Sequence, residues 1–295
     1  MKNKINRNFY AYLFIIPFFT VFVVFQLYPI LYTFFLSFHK WDGISKIVNV
    51  GVDNFETLLR DKYFSLSLKN TVRIWLGNFI PQIGIALLLA GIFTFNRIKG
   101  MTFFRAVFYL PNLVTAASMG LLFNLLFDGN KSVINQILMN LGIINTPIEF
   151  FSSPIFASSI ASYIQWWMWF GYTLIIVMAG MTSISSEIYE AAMVDGATSV
   201  KTFFYITLPL VRPTLLYLMI TSIIGGMQLF DVPATLTNGL GDPQKSILTT
   251  AMYIYNTGFK NHNMGYASTL SVGLFIIIAI LSVISFRIMN AKEEK

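Results

Sequence analysis

The chain has no cysteine, which excludes disulfides, thiolate metal sites and a thiol nucleophile. Histidine is almost as scarce. His39 and His262 stand alone, as ordinary loop residues do, and offer no imidazole cluster for a metal. Only 11% of residues are charged, against about a quarter in a soluble domain. There is no Gly-Lys pair and therefore no G-K-S/T phosphate loop, and no His-Glu-x-x-His zinc signature. No repeat of fixed period and no low-complexity tract divides the 295 residues.

What is abundant is apolar. Hydrophobic residues make up 56% of the chain, with 29 Phe and 13 Met, and the mean hydropathy is +0.66. Lipid is the solvent that such a composition suits. Six long apolar runs recur: Tyr10–Phe35, Val72–Phe95, Phe103–Phe127, Ile155–Met181, Leu208–Phe230 and Ala267–Met289. Each is long enough, at roughly 1.5 Å per residue, to cross about 30 Å of hydrocarbon. Backbone groups in lipid must pair within their own segment, so the runs are expected to be helices, with Pro17, Pro29, Pro81 and Pro111 as tolerated kinks. The predicted fold is an all-α six-helix membrane bundle in one domain. The first run is too long for a signal-peptide core and lacks an A-x-A cleavage site, so it reads as a retained span.

Six spans place both termini on one side. With that side inside, the inner segments carry Lys2, Lys4, Arg7, Arg97, Lys99, Arg105, Lys201, Arg212, Arg287, Lys292 and Lys295. The longer outer loops carry the other nine of the 20 basic residues, among them Arg73 and Lys131. Basic density is thus higher inside, as the positive-inside bias of a cell-membrane protein requires. The net charge of +7 follows from that bias. Nucleic-acid binding is not expected, because no Lys/Arg cluster sits on a polar segment. In the outer loops, Val52–Leu68 reads as an interfacial amphipathic segment, Val133–Leu141 as a short surface helix, and Asn238-Gly239 with Gly241-Asp242-Pro243 as turns.

The inner loop after the fourth run, residues 185–209, reads as two short helices hinged at a glycine. Ser185 and Ser186 can cap the first, with Glu187 and Glu190 in its first turn. Ala191 and Ala192 allow close approach of another surface, and Gly196 permits a chain reversal at the helix end. Phe203, Phe204 and Ile206 form an apolar set, and Pro209 and Pro213 suit the start of the next span. From the residues alone, this is equally an ordinary amphipathic loop between two membrane helices.

The run Glu190-Ala-Ala-x-x-Asp195-Gly196-Ala197, followed by Phe203, Ile206, Leu208-Pro209 and Pro213, resembles the EAA loop of bacterial ATP-binding-cassette importer permeases in its carbohydrate version. Pro17, Tyr28-Pro29, Ser37-Phe38, Leu110-Pro111, Phe230-Asp231, Thr237-Asn238-Gly239 and Gly265-Tyr266-Ala267 are similar to the same family, so the likeness spans essentially the whole chain. It is nearest to the first-permease group of maltose, raffinose and glycerol-3-phosphate systems. One departure is Gly239-Leu240-Gly241-Asp242-Pro243, where the family usually has Gly-Gly-Pro. The resemblance implies the type I (MetI-like) permease fold with a cytoplasmic coupling helix. It implies a second permease, two ATP-binding subunits and an extracellular sugar-binding protein as partners, with ATP and Mg held by those partners and no cofactor on this chain. Glu190, Ala191, Ala192, Asp195, Gly196, Ala197, Phe203 and Pro209 would couple to the ATPase.

A sugar crossing a membrane needs hydroxyl partners and flat apolar faces, and polar residues inside spans mark such paths. Gln165, Trp169 and Tyr172 share a face of the fourth span. Ser222, Gln228 and Asp231 lie along the fifth, and Asn112, Thr115, Ser118 and Asn124 along the third. The resemblance favours these faces as the sugar path. Interfacial aromatic belts and helix–helix hydrogen bonds account for the same residue types equally well, and Asp231 suits the outer mouth too. Two rivals differ in kind. A secondary transporter or channel needs ionisable residues at mid-membrane, which the spans almost lack. An intramembrane aspartyl protease is suggested only by Gly239-Leu-Gly-Asp242, which lies among turn residues without a Tyr-Asp partner in a span.

Overall fold

The computed structural model describes residues 7–95, 100–129 and 132–290. Lys2, Lys4, Arg97, Lys99, Lys131, Lys292 and Lys295, used above to orient the chain, lie outside the described residues. Two compact units are formed, one from residues up to Asp61 with Ile254–Phe275, the other from Lys62–Tyr253 with the residues from Ile276 on.

The first unit starts with α1 (Arg7–Phe22), a wide π turn (Val23–Leu27) and α2 (Tyr28–Leu36). The turn has a local cause. Pro29 has no N–H, and its ring would press on the carbonyl four residues back; one extra residue in the turn moves that carbonyl aside. The Tyr28 N–H accordingly reaches the Val23 carbonyl. Tyr12–Leu36 is apolar; it is exposed from Tyr12 to Leu31 and turns inward at Leu36. A two-residue ribbon follows, β1 (His39–Lys40) pairing antiparallel with β2 (Val48–Asn49), the only departure from helix and loop among the described residues. Asp42 closes it by accepting from the N–H groups of Ile44 and Ser45 at 2.9 and 2.7 Å. The segment read as one amphipathic stretch over Val52–Leu68 is α3 (Asp53–Arg60), ended by an extended Asp61. Its acids stand in the first turn and Arg60 in the last, as the helix dipole favours. Asn54 holds this helix to the carbonyls of Ser37 and His39, both at 3.1 Å. Gly265 lies so close to the ribbon that a Cβ there would stand 2.0 Å from the His39 carbonyl oxygen.

The second unit is built on α4 (Lys62–Phe95) and α8 (Pro154–Thr182), which pair along their lengths. Small residues let the two helices approach closely, as in other membrane helix pairs. Ala86, Ala90, Ala157 and Ala161 are wholly buried, and a Cβ on Gly77 would stand 2.8 Å from Ser162 Oγ. Between them in sequence lie α5 (Met101–Tyr109), α6 (Ala116–Phe127) and α7 (Val133–Asn140). The third apolar run is not one straight span. It bends by 90° between Leu113 and Ala116, because Pro111 sits in a tight 3₁₀ turn and Val114 and Thr115 are extended. Thr115, viewed above as a path residue, caps α6 by accepting from the Ser118 N–H at 3.3 Å. Asn124 ties α6 to the Leu236 carbonyl at 3.2 Å. α5 crosses α8 at Gly171, where a Cβ would lie 1.9 Å from the Phe108 carbonyl oxygen.

After α8 come α9 (Ser186–Val194), α10 (Ser199–Thr202), a π turn (Phe203–Thr207), α11 (Leu208–Leu210), α12 (Arg212–Met227), α13 (Asp231–Leu236), α14 (Thr250–Tyr255) and, after a third π turn (Asn256–Lys260), α15 (Met264–Asn290). The loop between α13 and α14 is pinned to the start of α4. Asn70 donates to the carbonyls of Lys245 and Leu248, and Arg73 to that of Ser246. Among the described residues, five helices are long and apolar enough to cross a membrane, six if the bent pair counts as one span.

Candidate functional site

Two places in the second unit gather the residues singled out from the sequence. The first is the segment 185–209. Ser185 caps α9 through the Glu187 N–H at 3.3 Å. Glu187 is in the first turn; Glu190 is not, falling one turn further on. α9 ends in a Schellman motif. The Ala197 N–H bonds the Ala192 carbonyl at 2.9 Å and the Gly196 N–H bonds that of Met193 at 3.1 Å. Gly196 takes a φ of +74° to allow it. Thr198 then caps α10, and the π turn at Phe203–Thr207 precedes Pro209 for the reason given for Pro29. Thr207 Oγ1 donates to Tyr189 Oη at 3.3 Å, tying the two halves of the loop together.

The exposed face of this loop differs from the expected set. Glu190, Ala191, Asp195, Gly196 and Pro209 are exposed and Ala197 is half-buried. Ala192 is turned inward, at 6% exposure, and Phe203 packs against α4. The large apolar residues the loop exposes most are Val194 and Tyr205, at 87% and 80%, with Met193, Val200 and the expected Phe204 also exposed. Met193, Val194 and Tyr205 went unnoticed because the family pattern leaves those positions free. Met193 and Val194 end the doubly capped α9, a position legible from Ser185 and Gly196, whereas Tyr205 lies in the π turn before Pro209.

The second place is a cavity of about 260 Å³ between α4, α8 and α12. Gln165, Trp169, Tyr172 and Ser222 line it. Asn112, Gln228 and Asp231 do not. Asn112 donates to the Met168 carbonyl at 3.3 Å, next to the break in the third run. Gln228 ends α12, and Asp231 sits in the first turn of α13, where negative charge is favoured. The cavity adds residues that had been passed over: Trp75, Asn78 and Gln82 on α4, Thr173 on α8, and Tyr217 and Thr221 on α12. Asn78 and Gln82 are four apart in mid-span, so the criterion applied to the fourth span finds them as well.

The lining is polar at its edges and flat at its faces. Trp75 Nε1 donates to Ser222 Oγ at 2.9 Å, Gln82 donates to Thr173 Oγ1, and the hydroxyls of Tyr172 and Tyr217 share a hydrogen bond at 3.1 Å. Trp169 meets Tyr172 edge-on at 5.9 Å and keeps 45% of its surface exposed. No Asp, Glu, Lys, Arg or His stands in the lining. Gly226 brings α12 against Trp75, with a Cβ there only 2.1 Å from the indole Cδ1. Such a surface offers hydroxyl and amide partners with exposed aromatic faces, and no fixed charge. Among the described residues no cluster of His, Asp and Glu suits a metal ion.

Residues 82–294 match the family described as binding-protein-dependent transport system inner membrane component. The lactose transport system permease protein LacF of Rhizobium radiobacter is 34% identical over 97% of this chain and 95% of its own. The arabinooligosaccharides transport system permease protein AraP of Bacillus subtilis (strain 168) is 32% identical over 95% of this chain and 88% of its own. A chain in the crystal structure of a bacterial alginate ABC transporter, in complex with alginate pentasaccharide-bound periplasmic protein, superposes with a TM-score of 0.80. It is 21% identical, over 98% of this chain and 96% of that one.

Proposed function

This chain belongs to the family of binding-protein-dependent transport system inner membrane components, and on that premise we propose that it is a permease subunit of an ATP-binding-cassette importer that carries a sugar or oligosaccharide into the cell. The named relatives transport sugars, and the cavity on α4, α8 and α12 has the neutral polar-and-aromatic lining that sugars need. In this reading both termini and the loop 185–209 are cytoplasmic. A second permease completes the pore, two ATP-binding subunits dock on the inner loops of the two permeases, and a sugar-binding protein delivers substrate from outside. ATP and Mg²⁺ belong to the docked subunits, since this chain has no phosphate loop.

The observation that carries the proposal is the loop 185–209. It is short, capped at both ends of α9 and tied across by Tyr189 and Thr207, yet it exposes Met193, Val194 and Tyr205. An exposed apolar tip held on a stiff element is suited to a partner's groove. Nucleotide binding that draws two such partners together would move the loop as a lever and switch the pore between two global states. A secondary transporter would need an ionisable group at the cavity for its coupling ion, and the lining has none.

The test uses the absence of cysteine. Val194→Cys gives a single thiol in this chain, to be labelled in intact cells and in inverted vesicles. Reaction from the cytoplasmic face, protection by the co-expressed ATPase subunits, and ATP-dependent sugar uptake are expected. Labelling only from outside, or uptake that persists without the ATPases, overturns the proposal.

A further inference from the structure

Phe203 does not face outward with Met193 and Val194. One edge of its ring lies against α4 at Gly91. A Cβ built on Gly91 would stand 2.8 and 2.9 Å from Cε2 and Cδ2 of the ring, so no other residue fits there while Phe203 stays in place. Phe204 meets the ring edge-on at 5.1 Å, and the Gly91 notch continues into an apolar groove bordered by Leu88, Ile92 and Val200. From this notch α4 runs back to Gln82 in the cavity lining. The nine steps from Gln82 to Gly91 span about 13.5 Å of helix. Pro81 lies just before Gln82, and the carbonyl its ring presses on is four residues further back, outside that length.

We propose that Phe203, seated in the Gly91 notch, is the joint through which the loop 185–209 moves α4 and with it the cavity wall that carries Gln82. This rests on the reading of the loop as the ATPase-docking element. The packing gives the joint its stiffness. Ala86 and Ala90 fix α4 against α8, and Phe203 is the aromatic ring of the loop packed against this core. Met193, Val194 and Tyr205 contact the ATPase subunit, and Phe203 passes the displacement on. Phe203 is thus a positioning residue, touching neither sugar nor nucleotide.

The experiment uses the full complex with its second permease, ATPase subunits and sugar-binding protein, reconstituted in vesicles. The readout is ATP hydrolysed per sugar moved. Gly91→Leu, which expels the ring, is expected to keep hydrolysis stimulated by the binding protein while raising that ratio about tenfold. Phe203→Ala alone is expected to raise it similarly. Combining the two, so that the leucine fills the space left by the ring, is expected to bring the ratio back toward the parent value. A parent-like ratio in Gly91→Leu, or a double variant no better than either single one, overturns the proposal. If Gly91→Leu does not assemble, the pair Gly91→Cys and Phe203→Cys replaces it. Linking the two thiols with a short bifunctional reagent must then restore the ratio lost in the unlinked protein, and failure to restore it refutes the joint. Absence of any ATP-driven uptake in the parent complex would instead count against the importer reading, leaving the two failures distinct.

Discussion

Replacing Gly196 perturbs the loop through backbone conformation alone. A Cβ at this position meets no atom within 4 Å, so the size of the new side chain has nothing to collide with. The φ of +74° is another matter. A residue with a Cβ pays about 1–2 kcal/mol in the left-handed region, while Asn adopts it more readily. Gly196→Ala therefore weakens the two Schellman hydrogen bonds by up to about 5–30-fold in their closed-to-open ratio, with Gly196→Asn milder and Gly196→Val worse. The spans are untouched, so yield and helical content in membrane should stay unchanged. Hydrogen exchange at the Gly196 and Ala197 amides, measured in nanodiscs, should quicken in the order Asn, Ala, Val. Affinity for the ATPase subunits should fall in the same order. If Ala and Asn behave alike, or if exchange follows side-chain volume and not tolerance of positive φ, the capping argument is wrong.

Three further outcomes follow from contacts described above. Trp169→Ala removes a half-exposed indole, so the protein should fold normally while uptake at limiting sugar drops by about five- to thirtyfold, the effect of losing one aromatic anchor worth about 1–2 kcal/mol. Asn70→Ala strips the donor from the Lys245 and Leu248 carbonyls; the cost of about 1–3 kcal/mol should appear as faster proteolysis between α13 and α14, and Asn70→Asp should be worse because a carboxylate repels both carbonyls. Asp42 is held down to about 2 by the N–H groups of Ser45 and Ile44. Its turn is therefore fully supported above the ordinary carboxylate value and lost only as pH falls through about 2, so the carboxyl carbon shift in NMR should stay flat from pH 7 to pH 4.

The sequence was most readable where its chemistry is local. Ser185, Gly196 and Pro209 specify a cap, a reversal and a restart with no help from the rest of the fold, and the structure has all three. Periodicity placed Gln165, Trp169 and Tyr172 together because a shared helix face needs only the helix. It failed wherever a second element decides the outcome. Asn112, Thr115, Ser118 and Asn124 look like a polar track through the third run. They serve the bend and its neighbours, since Pro111 turns that run by 90° and leaves backbone groups to be satisfied. Ala192 and Phe203 matched the loop pattern but face inward, and no single-sequence signal separates a residue gripping a partner from one gripping its own chain.

The small-residue seam between α4 and α8 has a mechanical consequence. With Gly77 against Ser162 and four alanines wholly buried, the two helices have no slack in which to twist or slide, so together they behave as one stiff plate carrying most of the cavity's amides and indoles. Any widening of the cavity must therefore come from displacement between this plate as a whole and α12. There Gly226 rests on Trp75 while its neighbour Gly225 has open space beside it, which makes that contact the line along which plate and wall can part.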